Sequence, residues 1–375
     1  MDTQYFADQH LAELHGAGAA LAKSAFMDVD LSSPLSADQL HRIYASLAST
    51  GYLGGLVSEA AGGAGLSGEE FAALLEGVSE IAPYLSNHSV QRELADGGSD
   101  SAKQRWLPKL LSGEAIGTIA MTEPQGGSDL GHLRTRIAPS GDGYVLSGQK
   151  LWAVHTMTAD VAIVLVEGPD REQLRVVVDL GHESVRRQQI PTSGLRYLTF
   201  GLLEFRGTPI SRDDVLTDPG AEATDLMIAT DRALVAVQAT SIAQRALHTA
   251  IKHLSTRSVR GRVVTSRDVI RRQVGEMSAA VEAARVFGYH VLRFIDNQQY
   301  GVAALAAGAK SHATDVCARV CAQAVELCAA EGLVSGGEGL RLRDDLLMLT
   351  TAHGTSLANA ITWGEYVMEQ SQIRR

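Results

Sequence analysis

The chain has 375 residues, 45% hydrophobic and 20% charged, enough to bury a core in two or three domains and too apolar for a disordered polymer. A net charge of -10 with no run of lysine or arginine excludes a general nucleic-acid binder, and apolar runs such as Val161–Val166 are far too short to cross a bilayer. Met1 to Phe26 carries acids and histidines where a signal peptide has an apolar stretch, so a cytoplasmic protein with no nucleic-acid and no membrane partner is expected.

Met1 to about Gly117 reads as helices interrupted by glycine. Leu35–Thr50 sets Leu40, Ile43, Tyr44 and Leu47 at helical spacing behind the capping residues Ser36 and Asp38. Gly51–Gly68 is a glycine-rich connection, and Glu69–Ile81 resumes the helical period. Ala102–Leu111 is a further helix that Pro108 is expected to bend or end. From Thr118 to about Ile210 the pattern turns to β. Tyr144–Leu146, Asp160–Glu167, Gln173–Asp179 and Tyr197–Phe205 are short strand-like runs with turn signals such as Gly168-Pro169-Asp170 between them, which suits a small barrel or sandwich.

From Thr224 onward the helical period returns in longer segments. Val274, Met277, Val281, Ala284, Gly288, Val291 and Ile295 step by threes and fours, the seam of a bundle helix. Val302–Ala329 is alanine-rich, with Cys317, Cys321 and Cys328 on one face. Their odd number and helical spacing predict buried thiols, with no disulfide and no metal site. The expected architecture is mainly α with a central β domain: helices over 1–117, a β domain over 118–215 and a helical bundle over 216–375.

Phosphate-loop and hydrolase patterns are missing. No GxGxxG follows a strand, Gly143–Lys150 misses the Walker pattern, and no GxSxG, HExxH or paired CxxC occurs. The informative stretch is Met121-Thr122-Glu123-Pro124-Gln125-Gly126-Gly127-Ser128-Asp129, at the hand-over from helix to β. Its adjacent glycines leave backbone N–H groups unshielded, a place for a pyrophosphate or a ring carbonyl. Some 25 residues on, Gly148-Gln-Lys-Leu-Trp152-Ala-Val154 is a strand whose aromatic could cover a flat cofactor.

In this order the motifs resemble those of the acyl-CoA dehydrogenases, and the resemblance covers nearly the full length. The TEP-x-x-GSD loop is matched from Thr122 to Asp129, L-x-T by Leu133–Thr135 and GxKxW by Gly148–Trp152. Upstream, Gly98–Glu114 is similar to the family's GSEEQK…LP…GE segment. Downstream, Asp231-Arg232, Arg257 and Arg343-Asp344 stand in the family's order. The resemblance implies an N-terminal helical domain, a middle β-barrel domain and a C-terminal four-helix bundle, with FAD between them. It assigns Met121, Thr122, Gly127 and Ser128 to the flavin loop, Trp152 and Val154 to the flavin ring, and Thr355 to the cofactor side. Arg257 and Glu326 map onto the cofactor's phosphate and adenine end in a neighbouring subunit, which implies a homo-dimer or tetramer. Ser128 and Arg232 are the residues implied at the substrate, an acyl thioester of CoA or an acyl-carrier protein. An electron-transfer flavoprotein or oxygen would take the electrons.

The chemistry needs a base for the thioester α-proton, hydrogen bonds for the growing enolate charge and a hydride acceptor. In the family the base is a glutamate before Gly-Thr near the C-terminus or an acid directly before the bundle arginine. Here His353 precedes Gly354-Thr355, and Asp231 precedes Arg232. Asp231 is the first choice and His353 the alternative, with a plain solvated or paired aspartate as the bland reading. Val154 stands where the family has a threonine and His155 where it has an asparagine. Arg257-Ser-Val-Arg260-Gly261 replaces R-x-Q-F-G. Glu326-Leu-Cys-Ala-Ala-Glu-Gly332 replaces Q-x-x-GG-x-G, with Arg260 the expected partner of Glu326. These departures favour FAD-dependent α,β-dehydrogenation of a carrier-tethered acyl group in specialised biosynthesis. An ordinary short- or branched-chain acyl-CoA dehydrogenase, or a non-redox member doing proton abstraction or cyclisation, stays open.

Overall fold

The computed structural model describes residues 6, 8–27, 29–48, 51–78, 85–127, 132–217, 221–297 and 301–373. Five helices come first: α1 Gln9–Ala25, α2 Ala37–Ala48, α3 Gly68–Val78, α4 Leu85–Gly97 and α5 Asp100–Ser112. In α2 the amide of Gln39 donates to Ser36 Oγ at 3.2 Å and the amide of Ser36 to Gln39 Oε1 at 2.9 Å. This reciprocal cap starts the helix, and Leu40, Ile43, Tyr44 and Leu47 then bury one face. Pro108 does not end α5, which continues to Ser112 and closes at Gly113. Trp106, Leu107 and Leu110 pack into a cluster with Val161, Ile163 and Val177, and that burial outweighs one missing backbone donor. The sequence pattern gave no sign of α4. It is polar yet buried, enclosing Asn87, His88, Ser89, Gln91 and Glu93.

The middle region is one seven-stranded sheet, a half-barrel. Its strands are β1 Gly117–Ala120, β2 Arg136–Ser140, β3 Gly143–Val154, β4 Val161–Glu167, β5 Gln173–Asp179, β6 Val185–Ile190 and β7 Phe200–Ile210. The order is β1-β4-β2-β3-β7-β6, with β5 antiparallel on β4. The strand expected over Tyr144–Leu146 is the start of a twelve-residue strand, and the one expected from Tyr197 begins at Phe200. β1, β2 and β6 were not legible, because each is short or carries polar and proline residues.

The C-terminal helices are α6 Ala221–Thr256, α7 Asp268–Asp296, α8 Val302–Leu327, α9 Glu338–Leu349 and α10 Ser356–Ile373. A small hairpin, β8 Ser258–Val259 with β9 Arg262–Val263, joins α6 to α7. The α7 seam buries Met277, Val281, Ala284, Gly288, Val291 and Ile295 as the spacing predicts. Thr224–Thr256 of α6 is long and apolar enough to cross a membrane, but most of it is buried against the rest of the chain. The three cysteines are buried free thiols, and burial pushes that of Cys321 up to about 12.

Candidate active site

The segment Met121–Gly127 leaves β1 and is held against β3 by a hydrogen bond from the amide of Leu151 to Thr122 O at 2.8 Å. Beneath it lies Lys150, fully buried, whose Nζ donates to Met121 O at 2.9 Å and to Glu123 Oε1 at 2.8 Å. Glu123 also accepts from the amides of Arg134 at 2.8 Å and Thr135 at 3.0 Å and from the Gln125 amide group. Burial alone would raise this carboxyl, but the donors around it, Lys150 first, hold it down to about 2. The acid of the TEP motif is therefore an internal strut. A Cβ at Gly127 would stand 2.8 Å from Thr122 Oγ1, so this glycine lets the loop close on itself. Ser128 lies outside the described residues.

On β3, Gly148 has φ 141°, and a Cβ there would stand 2.5 Å from Thr135 Cα, which explains the first residue of GxKxW. The ladder to β7 slips between Leu151 and Ala153. This bulge throws Trp152 out of register with φ 63° and leaves the residue 49% exposed. Val154 is buried, and its carbonyl accepts from Thr118 Oγ1 at 2.7 Å. His155, also at positive φ, is buried with its Nε2 3.0 Å from Tyr44 Oη, and burial pushes its imidazole down to about 3. His155 therefore stays neutral, supporting the bulge from behind.

The expected bases lie on the C-terminal side. Asp231 is 5% exposed on α6. Its Oδ1 accepts from Arg92 Nη1 at 3.0 Å and its Oδ2 from Ser89 Oγ at 2.9 Å, both from α4. Glu93 of the same helix faces Arg175 at 3.5 Å, and burial pushes its carboxyl up to about 7 against the pull of Arg175. His353 sits in the turn between α9 and α10, with φ 50° and its surface open to solvent. Its imidazole is pushed down, by desolvation of the ring first. Asp231 opposes that shift, while Lys310, Arg232 and Arg92 reinforce it. The structure thus brings Asp231, Arg232 and His353 into one electrostatic cluster, and Arg232 Nε donates to His353 O at 3.3 Å. Thr355 caps α10, its Oγ1 accepting from the amide of Ala358 at 3.1 Å.

Arg257 and Glu326 are not part of this cluster. Arg257 follows the last residue of α6 and lies 3.7 Å from Glu331. Glu326 is on an exposed face of α8. Within one chain no ion pair joins it to Arg260 among the described residues, and Arg260 takes the left-handed turn of the β8–β9 hairpin. From Arg232 to Arg257 is about 37 Å along a helix rising 1.5 Å per residue. One chain does not bring both ends of the expected cofactor site together.

Sequence reasoning missed Ser89, Arg92, Lys310 and Asn359. Only Lys310 carried a signal: with Thr314, Cys317 and Cys321 it falls on one helical stripe, and that stripe is buried.

Family models match residues 32–114, 118–208 and 218–362 as the N-terminal, middle and C-terminal domains of acyl-CoA dehydrogenase. The human mitochondrial short-chain specific acyl-CoA dehydrogenase is 28% identical over 319 residues, 80% of this chain and 76% of that protein. A glutaryl-CoA dehydrogenase from Mycobacterium smegmatis in complex with FADH2 superposes with a TM-score of 0.86 at 20% identity, covering 97% of this chain and 95% of that one. The prolyl acyl carrier protein oxidase AnaB does so with a TM-score of 0.85 at 19% identity, covering 96% and 99%. At these identities the two structures show the fold alone. The family models span most of the sequence, and the chain is a divergent member of the acyl-CoA dehydrogenase family, flavin oxidoreductases that bind FAD and dehydrogenate acyl thioesters.

Proposed function

We propose that this protein dehydrogenates an acyl thioester carried on an acyl-carrier protein, with His353 taking the α-proton and Asp231 held out of that role. The observation that carries the assignment is the engagement of both Asp231 oxygens by Arg92 and Ser89 in a buried pair, while His353 meets solvent beside it. A carboxylate in that position must first give up its arginine, whereas a neutral imidazole accepts a proton directly.

The residues at the ring end fit a flavin. The bulged Trp152 offers an open aromatic face, and the Glu123–Lys150 strut with Gly127 sets a compact loop beside it. Met121, Thr122, Gly127, Trp152, Val154 and Thr355 would hold FAD, which supplies a hydride acceptor when bound. Arg257, remote along α6, fits a role toward the cofactor of a second copy in a dimer or tetramer, and Glu326 is assigned to the same end. Reoxidation would fall to an electron-transfer flavoprotein or oxygen. Arg232, Arg92 and Lys310 bear on His353 with positive charge, which would favour the thioester oxygen as enolate charge develops.

Two features support a functionalised, carrier-bound acyl group over a straight-chain CoA ester. The family's base position holds an imidazole, and the wall beside it is the Arg92–Asp231 ion pair where a hydrocarbon would want an apolar surface. The test is anaerobic flavin bleaching by matched thioesters of CoA, pantetheine and a holo carrier protein. A carrier thioester preferred by roughly tenfold or more in kcat/KM supports the reading. Equal or better use of butyryl-CoA returns the protein to ordinary acyl-CoA oxidation.

A further inference from the structure

Lys310 is fully buried on α8, and among the described residues no ion pair is formed with it, Asp315 acting on it only at longer range. An ammonium in such a place is costly unless its hydrogens meet acceptors. Here Nζ donates to Thr350 O at 2.8 Å and to Gly354 O at 2.7 Å, the two sides of the turn that carries His353. The same turn is gripped from α10, where Asn359 Nδ2 lies 3.3 Å from His353 O, 3.0 Å from Gly354 O and 3.1 Å from Thr355 O. Arg232 Nε takes His353 O as well. With these carbonyls turned inward, His353 is held at a positive φ that residues bearing a Cβ avoid, and its side chain is left on the open side.

We propose that Lys310 is a positioning residue for His353, bridging the turn so that the imidazole is presented to the thioester and placing a fixed charge behind it. The proposal rests on His353 being the base. The charged groups bearing on the imidazole are Asp231 and Arg232 of α6, Arg92 of α4 and Lys310 of α8, three cations against one anion. Together with desolvation they keep the ring in its free-base form. Lys310 itself is pushed down to about 8, by burial first and then by Arg232. A neutral amide could bind the same carbonyls, but it would not supply the charge.

The test compares Lys310→Gln, which removes the charge, with Asn359→Leu, which loosens the same turn and leaves every charge in place. Holoprotein with a carrier or pantetheine thioester is followed by single-turnover flavin reduction against pH. Histidine-ring NMR follows His353, identified by the signal lost in His353→Gln. Lys310→Gln should slow reduction roughly tenfold or more with thioester affinity little changed. It should also move both the acid limb and the His353 titration upward by about one pH unit. Asn359→Leu should slow reduction and leave the titration in place. An unmoved His353 titration and unchanged rate in Lys310→Gln overturn the proposal even if His353→Gln is inactive. A fully active His353→Gln removes the base assignment, and the positioning role with it. Should Lys310→Gln not fold, the wild-type protein still decides. Reduction should decline as pH rises through about 8, where Lys310 loses its proton, and a rate flat to pH 9 or so counts against the proposal.

Discussion

Two fully buried lysines hold the two halves of this site, and they do so differently. Lys150 has a carboxylate, Glu123, and together they brace the Met121–Gly127 loop between β1 and β3. Lys310 has only carbonyls and braces the turn of His353. A paired charge is largely offset by its partner, so the first half is a rigid scaffold. An unpaired one projects its field onto its neighbours, here an imidazole. The proposed flavin side is built for shape and the proposed base side for potential.

The sharpest way to break the comparison is to remove Glu123. Glu123→Ala leaves the Lys150 ammonium buried with one acceptor and orphans the amides of Arg134 and Thr135. Unfolding stability should fall by about 3–5 kcal/mol, with flavin lost on gel filtration. Adding Lys150→Met to that variant should recover much of the loss, because no buried charge remains. A Glu123→Ala protein of normal stability would show that the strut does not hold the loop.

Next in size is the division of labour between Asp231 and His353. His353→Gln should keep fold and flavin and lower thioester-dependent bleaching by roughly a hundredfold. Asp231→Asn should lose less in rate than in stability, because Arg92 is then buried without its anion. The reverse ranking, with Asp231→Asn inactive yet stable, would hand the base back to Asp231.

Acid pH acts on buried groups in both halves. His155 behind the flavin loop and His88 on α4 are each pushed down to about 3, so between pH 6.5 and 3 the unfolded chain binds a proton at each that the fold does not. Stability from these two is present above pH 6.5 and lost as pH falls. Glu93, pushed up to about 7, works oppositely: between pH 7 and its ordinary 4.5 the fold holds the extra proton. His15 and His353 are pushed down as well, so the histidines outweigh Glu93 and stability should fall as pH drops from 6.5 to 4.5. Below 4.5 Glu93 no longer offsets the histidines and the slope should steepen. Denaturant melts at several pH values check this, and His155→Gln should flatten the curve.

The difference between the halves also explains what the sequence disclosed. The flavin loop is local: Thr122 to Gly127 and Gly148 to Trp152 are contiguous motifs, and their residues meet across one strand pair. The base cluster is assembled from α4, α6, α8 and the α9–α10 turn, far apart in the chain. Asp231 and His353 stood out through their neighbours Arg232 and Gly354-Thr355. Arg92 and Ser89 lie on a helix with too few apolar residues to show a periodicity, so nothing indicated that Asp231 was taken. The bundle was readable because α7 repeats its seam over many turns, whereas β1, β2 and β6 are edge-like or polar and left no alternation to read.

The smallest effect is expected at Arg257. Its contact with Glu331 is 3.7 Å long, with both side chains more than half exposed, and pairs of that kind contribute little once solvent and salt have screened them. Arg257→Gln should therefore shift unfolding stability by about half a kcal/mol or less. Within one chain Arg257 is about 37 Å along α6 from Arg232, beyond the cluster that would do the chemistry. If its work is on the cofactor of a second copy, Arg257→Gln should lose flavin on gel filtration and shed oligomer mass by light scattering while each chain stays folded. If flavin content and mass both stay normal, Arg257 is only a solvated residue after a helix end, and the case for a shared cofactor site in this protein must rest on other residues.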